Sequence, residues 1–281
     1  MIGRIVKLIS NDYTVIGDQN CYVCKSRGKF RNQNISPKVG DIVEIDPVNQ
    51  YILRVLPRKN ELVRPPVSNI DQVIIITSVK HPDFSTNLLD KLLTIIEYHN
   101  IKPLICFTKL DLLSDHERPL IERYMNYYQI YYDCYQNTEL EQIKQSFQDK
   151  ITVFTGQSGA GKSTLLNHLD EDLHIKTNEI SMALGRGKHT TRHVELLPLY
   201  GGYVADTPGF SDIEFTGMSK QDIRDNFEDF NSYRDQCKYK DCLHDKEDHC
   251  MIKDKVAAGV ILQERYDNYL KFLHQLPEKK Y

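Results

Sequence analysis

The sequence predicts a multidomain chain. An N-terminal β-barrel of the oligonucleotide-binding type (OB-fold) is expected over residues 1–67, and a central α/β domain over 68–216. A mostly helical, metal-binding C-terminal domain is expected over 217–281. Three observations predict this layout. Short strand-like segments broken by turn residues fill the first part. Strand–helix alternation surrounds a G-x-x-x-x-G-K-S string in the second. A Cys/His cluster inside a helical pattern marks the third. The length of 281 residues suits two or three domains. With 40% hydrophobic and 27% charged residues, the chain can bury a core, which excludes disordered, collagenous and disulfide-miniprotein classes.

Charge is unevenly distributed. Residues 1–67 hold 11 Lys and Arg against 6 Asp and Glu, whereas residues 68–216 hold 13 against 20, within a net charge of −3. No apolar run approaches the ~20 residues of a membrane span, and Met1-Ile2-Gly3-Arg4 has no signal-peptide anatomy. The seven cysteines are odd in number and irregularly spaced, so a reducing, cytoplasmic setting is expected.

In the basic segment, strands are expected at 3–10, 13–16, 21–25, 41–46 and 51–56, with turns at Gly17-Asp18, Ser36-Pro37 and Pro47. Five short strands in so few residues read as a small barrel. Arg58 through Pro66 reads as a stiff linker. Lys25, Arg27, Lys29 and Arg31 surround Phe30 between two strands, a pattern suited to neutralising phosphates and stacking a base, so RNA binding is expected there. In Cys21-Tyr22-Val23-Cys24, residues three apart on a strand point to opposite faces, so this pair reads as structural.

The middle segment reads as buried strands at 73–77, 103–108 and 151–155, with helices at 88–96, 114–128 and 138–147 and an extended piece at 130–132. Gly156-Gln157-Ser158-Gly159-Ala160-Gly161-Lys162-Ser163 follows a strand and opens a helix that continues through Thr164, the context a phosphate loop requires. Its glycines let backbone N–H groups face a β-phosphate. Lys162 would span the β- and γ-phosphates, and the Ser163 hydroxyl would bind Mg²⁺. Thr108-Lys109-Leu110-Asp111 ends a strand and resembles the guanine motif N-K-x-D, in which Asp111 would take the guanine N1–H and amine. Thr108 stands where Asn is usual. Asp206-Thr207-Pro208-Gly209 ends the strand at 202–205 and resembles D-x-x-G, with Asp206 near Mg²⁺ and the Gly209 N–H toward the γ-phosphate. Three such elements on strand ends of one sheet make a GTP site. Their order, guanine motif before phosphate loop before D-x-x-G, is a circular permutation, tolerable because domain termini usually lie close together. The switch element then leads straight into the C-terminal segment, which γ-phosphate sensing could move as a lever.

Beyond 217, residues 220–230 and 253–274 read as helical. Between them Cys237, Cys242, His244 and Cys250 offer a Cys3His set suited to one tetrahedral, structural Zn²⁺, with His249 a neighbouring alternative to His244.

A basic five-strand barrel, a permuted GTPase and a Cys-x4-Cys-x-His-x5-Cys segment together resemble the ribosome small-subunit-dependent GTPase A family (RsgA, also called YjeQ or YloQ) over the whole chain. The resemblance selects His244 over His249. It implies a role in late maturation of the small ribosomal subunit, with the barrel and zinc domain docking on rRNA and the subunit stimulating hydrolysis. Residues 185–191, Gly-Arg-Gly-Lys-His-Thr-Thr, resemble the family's first switch. One of Thr190 or Thr191 would complete the magnesium shell, with Thr190 preferred. Phe210 follows D-x-x-G where a water-orienting Gln is usual, so the resemblance gives His189 that catalytic role; contact with RNA is the alternative. A third base-binding turn would fall near 136–138. The expected partners are the small subunit, its rRNA and GTP or GDP; no membrane is expected, and the chain is expected to be monomeric.

Overall fold

The alternation in the first segment becomes five strands: β1 (Ile2–Ile9), β2 (Asp12–Gly17), β3 (Asn20–Ser26), β4 (Ile42–Asp46) and β5 (Tyr51–Val55). The computed structural model describes residues 1–26, 30, 36–63, 65–169, 194–206 and 214–276. The β1–β2, β2–β3, β4–β5 and β1–β4 pairings are antiparallel and β3–β5 is parallel, so the ladder closes into a barrel. Inward-facing Ile5, Val15, Cys24, Val43, Ile45 and Ile52 fill it. Cys21 is exposed and Cys24 buried, as the strand period requires.

The central sheet contains β6 (Gln72–Ser78), β7 (Lys102–Thr108), β8 (Asp133–Gln136), β9 (Ile151–Gly156), β10 (Val194–Leu199) and β11 (Gly202–Asp206). Its order is β10-β11-β9-β6-β7-β8, parallel except where β10 meets β11. Helices α1 (Thr86–Tyr98), α2 (Arg118–Tyr131), α3 (Leu140–Gln145) and α4 (Lys162–Leu169) belong to this part. Val73–Ile76 are almost wholly enclosed, as a strand covered on both faces must be.

Strand β10 is not anticipated by the sequence reading. It pairs with β1 through Lys7↔Glu195 and Leu8↔Val194, and Lys7 and Glu195 form an ion pair at 3.0 Å. Barrel and central domain thereby share one 11-stranded sheet. The segment expected as a linker is likewise fastened down. Buried Asp41 accepts from Arg58 Nε and Nη2 at 2.7 and 2.8 Å and from the Ser68 hydroxyl at 2.6 Å. Gly40 (φ +95°) passes so close to Ser68 that a Cβ would lie 2.1 Å from its carbonyl oxygen.

Four expectations need correction. The extended piece at 130–132 is helical to Tyr131, because Ile121, Tyr124, Met125 and Tyr128 recur at helical spacing and bury one face. Packing overrides the strand preference of the aromatic run. The helix at 220–230 divides into α5 (Lys220–Asp225) and α6 (Glu228–Asn231), separated by the extended Phe227. The helix at 253–274 divides into α7 (Met251–Ala257) and α8 (Gln263–Gln275). Gly259 turns left-handed (φ +71°) between them, while Val260 and Ile261 both donate to the Lys255 carbonyl. Finally, Phe30 is 3% exposed and packs in the barrel core, so it offers no face to a base.

The C-terminal helices surround Phe215, Ile223, Phe227, Phe230, Tyr269 and Phe272. Their contact with the central domain centres on Arg265 of α8. It donates to Asp90 of α1 at 2.7 Å and to Asp229 of α6 at 2.8 Å, and its guanidinium lies over Phe227.

Candidate functional site

Strands β6, β7, β8, β9 and β11 run parallel, so their carboxyl ends share one edge, where open α/β sheets bind ligands. The phosphate loop leaves β9 there. At Gly156 (φ +144°) a Cβ would meet the Ile76 carbonyl oxygen at 2.1 Å, so no other residue fits. Gly159 and Gly161 also have positive φ, and Ala160 N–H donates to Gln157 O at 3.0 Å. Lys162 then begins α4, where exposed Ser163 and Thr164 occupy the first turn, and Leu165 N–H closes onto Gly161 O at 2.9 Å. The result is a nest of backbone donors at a helix start.

Two strands away, β7 ends at Thr108, level with Ser78 of β6. The buried Thr108 hydroxyl donates to the Ala160 carbonyl at 2.6 Å. Lys109, left-handed at φ +62°, sends its ammonium to the Gly159 carbonyl at 2.7 Å and to the His81 carbonyl. The tetrapeptide 108–111 is thus bolted to the phosphate loop by two side chains. Leu110 and Asp111 enter a short 3-10 turn, Leu110–Leu112, with Asp111 exposed. The Asn137 N–H donates to Phe107 O at 3.0 Å, which brings the 136–138 turn beside the same motif. Lys80 donates to both carboxylate oxygens of Glu117, at 2.9 and 2.7 Å, and pulls that exposed carboxyl down to about 2.

His81 and Pro82 were not singled out by sequence. Pro82 Cδ lies 3.7 Å from where a Gly159 Cβ would stand, so this loop walls the site. A His-Pro pair directly after a buried strand was the available signal. Asp206 closes β11 at the same edge, and its side chain lies outside the described residues. So do Gly209, Phe210, His189, Thr190, Thr191 and the basic residues Arg27, Lys29 and Arg31. Lys25, near the end of β3, is exposed.

In the C-terminal helical part, the ligand atoms of Cys237, Cys242, His244 and Cys250 all lie within 4.8 Å of one another. His244 Nδ1 is 3.3 Å from Cys250 Sγ and 3.6 Å from Cys237 Sγ, and the latter two sulfurs are 4.0 Å apart. Bonds of about 2.3 Å to sulfur and about 2.0 Å to nitrogen place tetrahedral ligand atoms roughly 3.5–3.8 Å apart, so the group could hold a metal ion. Burial pushes His244 down to about 4, keeping the imidazole neutral as ligation requires, and pushes Cys242 up to about 12, which a divalent cation would reverse. The Glu247 carboxylate holds the loop by accepting from Leu243 and Asp245 N–H groups at 2.8 and 3.0 Å, while Tyr266 and Tyr269 donate to the His244 and Leu243 carbonyls. His249 is outside this group.

Comparison with known proteins agrees with this geometry. A family model described as RsgA GTPase matches residues 55–216, and one described as RsgA N-terminal domain matches residues 2–51. The small ribosomal subunit biogenesis GTPase RsgA 1 of Listeria monocytogenes is 47% identical, over 99% of this chain and 98% of its own. The corresponding RsgA of Enterococcus faecalis is 45% identical, over 99% and 96%. The crystal structure of YloQ, described as a circularly permuted GTPase, matches with a TM-score of 0.83 at 37% identity, covering 99% of this chain and 96% of that one. YjeQ from Thermotoga maritima matches with a TM-score of 0.86 at 33% identity, covering 99% of each. With its phosphate loop, guanine-type motif and D-x-x-G strand gathered on one sheet edge in permuted order, the chain belongs to the RsgA GTPase family and is a GTP-hydrolysing enzyme.

Proposed function

We propose that this GTPase acts on the small ribosomal subunit late in its maturation, that the subunit stimulates hydrolysis, and that hydrolysis drives release. The observation that carries the nucleotide part is the fastening of Thr108 and Lys109 onto Ala160 and Gly159, which supports reading the two motifs as one base-and-phosphate site. The subunit as partner is supported by the names of the relatives and by the exposed Lys25 of the barrel.

In this reading residues 1–67, 68–216 and 217–281 are the barrel, GTPase and zinc domains. Asp111 reads the guanine donors, the 156–161 amides cradle the phosphates, and Lys162 neutralises their charge. Ser163, Asp206 and Thr190 would hold Mg²⁺, which would polarise the phosphates; the exposure of Ser163 at the start of α4 supports this. Gly209 faces the γ-phosphate, and His189 orients the attacking water. Zn²⁺ is the metal best suited to the Cys3His group, where four protein ligands leave no open position and the role is structural. Lys25, Arg27, Lys29 and Arg31 contact rRNA phosphates, with Phe30 excluded. A monomer working in the cytoplasm fits this reading; no helix among the described residues is long and apolar enough to cross a membrane.

Steady-state GTP hydrolysis, with and without purified small subunits, tests the proposal, with large subunits and ATP as controls. Stimulation by small subunits alone is expected. GTP binding without stimulation would leave the GTPase in place and overturn the ribosome-triggered mechanism.

A further inference from the structure

Position 108 has no hydrogen-bond donor left for a nucleotide base. The Thr108 side chain is 3% exposed, and its single hydroxyl proton goes to the Ala160 carbonyl at 2.6 Å; among the described residues the other acceptor near it, Thr77 O, is at 3.5 Å. Both are carbonyls, which cannot donate, so the direction of the bond is settled by chemistry. The backbone of Thr108 is committed as well, since its carbonyl accepts from Val79 N–H at 3.1 Å and the residue pairs with Ser78 in the β6–β7 ladder. A Cβ on Gly161 would meet Thr108 Oγ1, Cβ and Cγ2 at 3.7–3.8 Å, so the whole side chain lies beneath the phosphate loop. The neighbouring cation is engaged too, because the Lys109 ammonium holds the Gly159 and His81 carbonyls.

An asparagine at this position carries two N–H groups. One could hold the loop carbonyl while the other served a ligand; threonine has only the one proton. Guanine presents two kinds of edge. Its N1–H and exocyclic amine are donors, suited to a carboxylate such as Asp111. Its N7 is an acceptor on the opposite side of the ring system, toward the ribose and phosphates, and needs a donor.

We infer that Thr108 is a positioning residue of the phosphate loop and that the enzyme does not read guanine N7. The inference rests on the guanine-nucleotide reading above. Base selectivity then falls on the donor edge, and guanine nucleotides lacking an acceptor at position 7 are ligands as good as the natural ones.

The test is competition of GDP, 7-deaza-GDP and inosine diphosphate against a fluorescent GDP analogue on the full-length protein. GDP and 7-deaza-GDP are expected to bind within about twofold of each other. Inosine diphosphate, which lacks the amine, is expected to bind more weakly. In Thr108→Asn the second N–H becomes available, and GDP should gain about three- to tenfold over 7-deaza-GDP. In Thr108→Val both should weaken by the same factor, with Thr108→Ser restoring them. A wild-type preference for GDP over 7-deaza-GDP of fivefold or more would overturn the inference, as would a Thr108→Val effect confined to GDP. If inosine diphosphate binds as well as GDP, or GDP does not bind, the guanine reading itself falls; the weak-inosine arm tells these failures apart.

Discussion

Arg265 and Asp90 form an ion pair at 2.7 Å in which neither side chain is more than 1% exposed. It joins α8, near the end of the described chain, to α1 of the nucleotide-binding part. Asp90 is otherwise held by the Tyr128 hydroxyl at 2.5 Å and Asn268 Nδ2 at 2.7 Å, and Asp229 by the Tyr127 hydroxyl and Arg265. The C-terminal region is therefore clamped to the GTPase helices. A lever driven by D-x-x-G would have to carry α1 and α2 with it.

Removing one partner from this cluster strands buried charge. Arg265→Met should destabilise the protein by about 3–5 kcal/mol, because Asp90 and Asp229 are left enclosed without a cation. Arg265→Lys should recover only part of this, since one ammonium cannot bridge both carboxylates as the planar guanidinium does. Urea unfolding of the three proteins checks the order; equal stability of wild type and Arg265→Met would contradict the clamp.

Glu97 lies at the edge of the same cluster. Burial pushes its carboxyl up to about 8, and its Oε2 has no hydrogen-bond partner among the described residues. The folded-state value lies above the ordinary 4.5, so the native state binds the extra proton. Stability should therefore be full below pH 4.5, fall through the window from 4.5 to about 8, and level off above it. Glu97→Gln should flatten that slope. Thermal unfolding between pH 5 and 9 measures it, and an unchanged slope in the variant would show that another group titrates.

The Cys3His loop is braced on α8 through Tyr266 and Tyr269. Chelation, or Cys242→Ser, should release one metal ion per chain and cost about 3 kcal/mol, equivalent to roughly 6–12 °C in Tm. Metal analysis paired with calorimetry reads both. Nucleotide binding by the folded fraction should persist, because the phosphate-loop residue Ala160 and the metal-group cysteines Cys242 and Cys250 pack in separate buried clusters.

Phe30 and Lys25 should separate cleanly. Phe30→Ala empties a core position and should cost about 3–5 kcal/mol, with RNA affinity per folded molecule retained. Lys25→Ala should leave stability within about 0.5 kcal/mol and weaken RNA binding, with a shallower salt dependence. A large loss of RNA affinity in folded Phe30→Ala would mean that this ring leaves the core on binding.

Sequence alone was enough for the elements whose chemistry is local. A phosphate loop needs glycines where no Cβ fits, and Gly156 against Ile76 shows why the string is so restrictive. Metal ligation needs soft donors within a few residues, and strand alternation put Cys21 and Cys24 on opposite faces because side chains in a strand have a period of two. The sequence also located the guanine-type motif and its permuted order, since each lies within a few consecutive residues.

Tertiary structure decided what depends on partners distant in the chain. Phe30 sits in a basic, polar run, and only closure of the barrel shows that its ring is core. The aromatic run at 124–132 satisfies helix and strand alike until it packs on α1 and the C-terminal helices. β10 gains its place by pairing with β1, 188 residues away at Lys7↔Glu195, which converts separate domains into one sheet. The hydroxyl of Thr108 finds its acceptor 52 residues on, at Ala160. Hydrogen bonds and burial are set by proximity in space, and one-dimensional pattern carries that information only where the contact is also close in sequence.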